Sequence, residues 1–530
     1  MKKISKLSKA AFLIAVSFGI NKILAILRQL IIARQFGLTA ELDVFNVANN
    51  IPDLLYALIS GGALAVAIIP VLTEVMTRET RESAWRVFSQ VANLAFLATA
   101  LLSVLAAVFA WPLVQHSLGI APGLSLAQQS LVVDLLRLNL IGTLIFSMAG
   151  LLIAGLQANK HFLLPAIGPI LYNLGQIYGA VILSPDKGYQ VGPLVLPAEG
   201  LGVHGLVYGV LIGSLLYFLI QIPGLVKYQF KWTPRINLKD ADVQKILNML
   251  GPRVIGMLLY QLTFIARDNM ASRLPLGSIS ALTYGWMILQ VPETLIGTAI
   301  GTALLPTISE LIAKKEYKEF NATINRVVRV LLALAIPSAV LLSLSLPPLL
   351  GFAFGFDTSG TDLLLWVTRA FLFGLLGHCL LELGSRIFFA QQNSIIPMAA
   401  AGLNLVVYVL SGVALIQPLK AVGIGLADAI GFTSQALFLL IIFKSRFAKN
   451  KIQAAMKTET DIPLEGKKDI FNTVLRAVAG SIVGGVVILL AIRFASGILP
   501  ELFTGILAAC LGILAAFPFI FKEVRVLLRL

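Results

Sequence analysis

The sequence is poor in most of what a water-soluble enzyme uses. Its 530 residues include two cysteines, four histidines and only 26 acidic side chains, and charged residues make up 13% of the chain, about half the share usual in soluble proteins. Cys379 and Cys510 fall in apolar runs, where a thiol acts as a small hydrophobe, so neither a disulfide nor a metal site is expected. His116, His161, His204 and His378 are scattered, without the spacing of metal ligands. No phosphate-binding GxxxxGK loop, nucleophile elbow or HExxH segment occurs, so the residues give no sign of nucleotide hydrolysis or hydrolytic catalysis. A transporter rather than an enzyme is expected, with no cofactor. Membrane potential, an ion gradient or a separate subunit has to supply its energy.

Apolar sequence fills the space that charge leaves. Hydrophobic residues reach 58%, and a backbone in lipid has to satisfy its own hydrogen bonds. Runs of about 20 apolar residues, the length of one span, recur near 10–34, 43–73, 88–114, 126–157, 163–184, 201–226, 246–272, 279–311, 326–350, 362–390, 395–416, 420–444, 471–493 and 498–521. The fold class expected is an all-α polytopic membrane protein with about fourteen transmembrane helices. The first run contains Lys22 and Arg28 and has no small-x-small cleavage site, so it reads as a retained helix rather than a signal peptide.

The formal charge of +15 suggests nucleic acid only until its distribution is followed. Of 41 basic residues, 29 fall at the termini and in alternate loops, four (Lys187, Arg273, Lys420 and Arg493) fall in the intervening loops, and eight fall inside apolar runs. By the positive-inside rule both termini are cytoplasmic. No folded basic domain remains to bind nucleic acid.

An internal repeat is legible. AIIPVLTE (67–74) matches ALLPTISE (303–310) at an offset of 236, and LQANKHFLLPAIGPILYN (156–173) matches FAQQNSIIPMAAAGLN (389–404), with Pro165 over Pro397 at 232. A repeat of six helices keeps the orientation of both copies, as in two-lobed transporters with a site between lobes. The expected division is an N-lobe at 1–230, a C-lobe at 231–445, and a linker with a terminal helix pair at 446–530.

The eight intramembrane cations are Lys22, Arg28, Arg34, Arg137, Arg253, Arg267, Arg369 and Arg386. Such residues usually face a cavity or a partner. Lys22 and Arg28 are read as cavity cations, whereas Arg34, just before FGLTAELD, either joins them or snorkels to the interface. Asp43 is a candidate partner for Arg28 or Arg34, either as an extracellular gate or as a static pair. Arg253 and Arg267 are 14 residues apart and share a helix face, with Asp268 adjacent; they either line a path for an anionic group or form a structural pair. Arg369 and Arg386, with Glu382, read as structural. Pro52 and Pro292, midway through their spans, mark kinks or hinges.

ILRQLIIARQFGLTAELDVFNVANNIPDLL, GGALAVAIIPVLTE, GTALLPTISE and PAIGPILYN, with fourteen spans and a terminal helix pair, resemble the MurJ/MviN family of lipid II flippases. That family stands within the superfamily of multidrug (MATE-type) and polysaccharide-lipid exporters, whose members usually stop at twelve helices. The resemblance implies a bacterial inner-membrane transporter for cell-wall synthesis, moving an undecaprenyl-diphosphate-linked precursor outward by alternating access. It implies lipid II or a similar lipid and membrane lipids as partners, with a cell-wall synthesis complex as a further candidate. It places Lys22 at a cavity Arg, Arg28 at the essential Arg and Asp43 at the gating Asp, and gives the terminal pair a role in a groove for the lipid tail. The sequence departs from the family at Tyr56, Gly61, Trp286, Met287 and Gln290, so two cavity arginines are missing. Either Arg253 and Arg267 supply that charge, or the chain is a divergent branch with another lipid-linked substrate. The alternatives are a polysaccharide-lipid or multidrug exporter of the same superfamily, and a non-transporting scaffold of envelope assembly.

Overall fold

The apolar runs fold as helices because only a helix pairs its backbone groups within one segment. The computed structural model describes residues 6–59, 62–455 and 466–527, without the side chains of 6–15, 59, 62–66, 191, 252–253, 446–455 and 466–468. It divides into two compact units, Met1–Gly277 and Ser278–Leu530.

The first unit runs α1 (Lys6–Phe36), α2 (Ala40–Ala48), α3 (Asn50–Ile59), α4 (Gly62–Arg78), α5 (Arg81–Val108), α6 (Ala110–Gln115), α7 (Leu126–Ala158), α8 (Leu163–Tyr178), α9 (Gly202–Leu219), α10 (Ile222–Lys227) and α11 (Ala241–Ala271), with a two-stranded hairpin between α8 and α9, β1 (Gln190–Val191) and β2 (Leu194–Val195). The second runs α12 (Ser278–Glu293), α13 (Ala299–Ala313), α14 (Tyr317–Phe354), α15 (Thr358–Phe373), α16 (Leu375–Ala390), α17 (Ile395–Ala455), α18 (Gly466–Ala495) and α19 (Glu501–Leu527). Where the expected division puts α11 in the second lobe, its contacts within the first unit are with α3, α4 and α5.

Among the described residues, eleven helices are long and apolar enough to cross a membrane, or up to twelve if the bent pair α15–α16 is one span. Fourteen is not reached by that measure, for local reasons. Run 43–73 is broken at Asn49, between α2 and α3, and its remainder is described as α3 and α4 on either side of residues 60–61, so no single described helix of it reaches 18 residues. Runs 395–416 and 420–444 are two helices that meet at the non-helical Lys420 (φ 49°, ψ −129°) and are counted together as α17. The bent pair turns by 41° between α15 and α16.

The repeat survives at the level of the backbone. Pro70 and Pro306 both lie inside helices, α4 and α13, and Pro165 and Pro397 each occupy the third position of theirs. Before those third-position prolines, Lys160 (φ 58°) and Gln392 (φ 56°) take the left-handed conformation. The residues that follow close the preceding helix alike, His161 N–H on Leu156 C=O and Asn393 N–H on Phe388 C=O, both at 2.9 Å. Two non-glycine residues accept a conformation that disfavours side chains because the six-residue loop closures hold them there.

Close helix contact in the first unit depends on small residues. Gly175 of α8 and Gly179, which opens the π-helical turn after it, face Gly205, Gly209 and Gly213 of α9, and a methyl group on Gly209 would come within 2.8 Å of Gly179 Cα. This is the small-xxx-small packing of membrane helices. In the second unit α18 and α19 pack on each other and on α14, around Leu341, Ile488, Ala508 and Ala516. Arg476 fastens the pair by an ion pair to the buried Glu523 at 2.5 Å.

Candidate functional site

The polar interior of the first unit is built around α1, α3 and α8. Asn21 and Arg28 are seven residues apart, two turns, and so share one face of α1. That face meets α8, where the buried Asn173 ties them together. Arg28 Nη1 donates to Asn173 Oδ1 at 3.1 Å, and Asn173 Nδ2 donates to Asn21 Oδ1 at 2.8 Å and to Pro169 C=O at 3.1 Å. Lys22, one position off that face, is exposed.

α3 is the second source of polarity. The chain breaks at Asn49, whose Nδ2 donates back to Phe45 C=O at 2.9 Å and whose Oδ1 accepts from Asn139 Nδ2 of α7 at 3.0 Å. Pro52 is tolerated because it falls in the first turn of α3, where backbone N–H groups lack helical partners. Asp53 follows, placed favourably at a helix N-terminus. Its side chain is exposed, and its charge interacts with that of Arg28. One turn on, Tyr56 begins an aromatic stack: Tyr56 to Phe146 is 4.6 Å between ring centroids, Phe146 to Tyr172 is 4.6 Å, and Phe146 to Tyr217 is 4.7 Å. Tyr56 is thus the edge of a tyrosine-rich wall beside Arg28 and Asp53.

Arg267 is buried and donates through Nε to Asp268 Oδ1 at 2.7 Å, and its guanidinium lies 5.2 Å from the Phe264 ring centroid. Asp268, fully buried, also accepts from Asn50 Nδ2 at 2.8 Å through Oδ2. The pair of neighbours expected on α11 therefore forms, and it fastens α11 to α3. Gln261 adds a weaker tie, Nε2 to Asp53 C=O at 3.4 Å. Arg253 is on α11, but its side chain lies outside the described residues, as does Gly61.

Asp43 is buried, 2% exposed, and its Oδ2 accepts from the backbone N–H of Gly277 at 2.7 Å. Gly277 has φ +85°, and a Cβ there would sit 2.7 Å from Leu38 C=O, so only glycine fits. Asp43 thereby ties the first turn of α2 to the last residue of the first unit. Arg34, close by in sequence, is exposed.

The remaining intramembrane cations are held locally. Arg137 donates to Ala107 C=O at 3.1 Å, Arg369 donates to Ser343 C=O at 3.3 Å and lies 4.8 Å from the Trp366 ring centroid, and Arg386 pairs with Glu382 at 2.9 Å. In the second unit Trp286, one of the departures from the family pattern, packs against Phe371, His378 and Phe432. Sequence reasoning passed over Asp53, Asn173, Asn49, Asn50 and Asn139. The signal was present in the polar string NNIPD (49–53) inside an apolar run, and in the single Asn that ends PAIGPILYN.

Comparison with known proteins bears directly on this arrangement. The family model described as "Lipid II flippase MurJ" matches residues 32–508. The lipid II flippase MurJ of Burkholderia cenocepacia is 29% identical over 436 residues, covering 81% of this chain and 82% of that protein. A probable lipid II flippase MurJ of Haemophilus influenzae is 28% identical over 438 residues, covering 79% and 83%. Among solved structures, a lipid II flippase MurJ in an inward closed conformation superposes with a TM-score of 0.76 at 22% identity, covering 98% of this chain and all of that one. An inward-facing MATE-family multidrug transporter of the MOP superfamily gives 0.66 at 14% and covers 84% of this chain. A multi-pass helical membrane protein that a family model spans for most of its length, this chain belongs to the lipid II flippase MurJ family.

Proposed function

We propose that this protein is a lipid II flippase, carrying the undecaprenyl-diphosphate-linked muropeptide from the inner to the outer leaflet of the bacterial cytoplasmic membrane by alternating access. The match of the family model over residues 32–508 carries this reading. Arg28 supplies the chemistry. A guanidinium inside a membrane protein, oriented by Asn173 and adjoining an accessible interior, suits a diphosphate, which takes charge-assisted bonds from a planar fork.

Lys22, exposed on α1, is the second cation for the lipid head group, and Arg253 replaces charge that the family has at Tyr56 and Met287. Arg267 contributes to substrate binding chiefly by position, because Asp268 holds it while Asn50 ties α3 to the same carboxylate. Asp43 is the gating residue, acting on the first turn of α2 through Gly277, with Arg34 in the last turn of α1. Both termini are cytoplasmic, following the 29 to 4 division of loop cations. The membrane potential or an ion gradient drives the cycle.

Complementation of a flippase-null bacterium tests the reading. Arg28→Ala abolishes growth at normal protein level, and depletion of the wild type traps lipid II in the inner leaflet. Normal surface exposure of the precursor after depletion overturns the function. Normal growth of both Arg28→Ala and the double variant Arg253→Ala/Arg267→Ala overturns the cationic site.

A further inference from the structure

The second unit contains an ionisable cluster that substrate binding does not use. His378 Nε2 and Asp428 Oδ2 are 2.9 Å apart, with side chains 5% and 7% exposed. The contact joins α16 to α17, and close approach permits it: a Cβ on Gly374 would sit 2.7 Å from Ala429 Cα, and one on Gly377 would overlap Thr433. The imidazole stacks on Phe432 at 4.2 Å and meets Trp286 edge-on at 5.3 Å, so aromatic rings cover two of its sides.

A third group comes from α12. Glu293 accepts from Thr298 Oγ1 at 2.9 Å and from Thr294 Oγ1 at 3.4 Å, and the charges of His378 and Glu382 both act on it. It immediately precedes a π-helical turn, Thr294–Thr298, a form of backbone enriched at functional sites. Of the other charged and titratable groups on the surrounding elements, Asp362 of α15 and Lys420 of α17 are exposed, and several more are engaged locally. Glu382 pairs with Arg386 on α16, and Arg369 of α15 bonds to Ser343. Cys379 is buried, and Tyr284 of α12 packs on Phe354 and Phe356. At the ends of α13 and α14, Glu310 pairs with Lys314, Glu319 with Arg326, and Arg329 with Asp469.

Ionisable groups inside a membrane bundle are costly and mark ion paths or proton relays. Imidazole and a carboxylate sharing one hydrogen bond suit a proton: uptake of one H⁺ converts neutral imidazole and carboxylate, net −1, into imidazolium and carboxylate, net zero, and its release reverses this. They do not suit calcium or magnesium, which take six or more oxygen ligands. Among the described residues no group of three His, Cys, Asp or Glu side chains is placed to hold a metal ion.

We propose that His378 and Asp428, with Glu293 in electrostatic reach, form a proton-binding site within the second unit, and that a transmembrane proton gradient acts on the transport cycle there. The joints beside it fit that role: the 41° bend at Gly374 lies four residues before His378, and the π-helical turn follows Glu293. The coupling rests on the transport reading above; proton binding does not.

Two measurements on the full-length protein separate them. In substrate-free protein in nanodiscs, ¹⁵N-histidine NMR follows the His378 imidazole, assigned by its loss in His378→Gln. The imidazole of the wild-type protein takes up a proton as the pH is lowered, and the pH at which it does so changes in Asp428→Asn. An imidazole that stays in one protonation state, the same midpoint in Asp428→Asn, or a midpoint set by sodium overturns the site. In proteoliposomes with the membrane potential clamped, a proton gradient drives fluorescent lipid II to an uneven distribution of up to about tenfold per pH unit for one proton per cycle, and Asp428→Asn and His378→Gln lose that response. A retained response in both variants overturns the coupling. If the imidazole titrates as stated but wild-type protein moves no lipid II under any gradient, the transport reading fails and the proton site stands.

Discussion

Replacing Asn173 by aspartate probes Arg28 without removing it. The asparagine carbonyl that orients the guanidinium becomes a carboxylate at about the same place, 3.1 Å from Nη1. Two unit charges at about 3 Å with an effective dielectric constant near 20 attract by about 5 kcal/mol. A diphosphate bound by Arg28 then competes with a fixed anion. If half of that attraction is lost on binding, affinity falls by about a hundredfold, at 1.4 kcal/mol per factor of ten. Asn173→Ala is milder: it removes the hydrogen bond that positions the guanidinium and adds no competing charge. The expected order of lipid II affinity is therefore wild type, then Asn173→Ala, then Asn173→Asp. Titration of lipid II into full-length protein in nanodiscs measures it, with thermal unfolding as the check that the bonds from Asn173 to Asn21 and Pro169 are not required for folding. Affinity for Asn173→Asp equal to wild type, or above that of Asn173→Ala, in a folded protein refutes Arg28 as the diphosphate ligand.

Asp268→Ala takes the carboxylate from the buried guanidinium of Arg267 and the acceptor from Asn50. Removing one partner of a buried ion pair costs about 3–5 kcal/mol, so the melting temperature in detergent drops by several degrees, and an unchanged melt sinks the idea that this pair fastens α11 to α3. Gly209→Leu drives a side chain into the Gly179 Cα and the Gly175 carbonyl of α8, displacing the helix that carries Asn173. The variant still inserts but fails to complement, and growth at the wild-type rate contradicts the close-packing account.

The residues differ in how far sequence alone exposes their roles. Arg267 and Asp268 are neighbours on one helix, so their pairing is legible from adjacency. Pro165 and Pro397 lie at equivalent repeat positions, and the matching left-handed residues Lys160 and Gln392 show that such a repeat also fixes backbone closure. By contrast, the break at Asn49 within run 43–73 does not show in its apolar total. Asn49 and Pro52 divide α2 from α3 there because the asparagine side chain bonds back to the carbonyl of Phe45, four residues earlier, and a proline cannot donate. Asp53 and Asn173 were hidden for another reason: one polar residue in an apolar run carries no sign of what it faces, and Asn173 sits 145 residues from Arg28. The same holds for His378, scattered by spacing yet 2.9 Å from Asp428.

Composition by itself determined the class of this protein. Hydrophobic content and the scarcity of charge set its solvent, and the sorting of 41 basic residues set the orientation it is expected to take, because both effects act on each segment as it meets the bilayer. Which charge meets which partner was decided only by tertiary structure. Burial makes an ion or an amide depend on a partner across the bundle, and that partner is chosen by helix packing: Asn173 for Arg28, Asn50 for Asp268, Gly277 for Asp43 and Asp428 for His378.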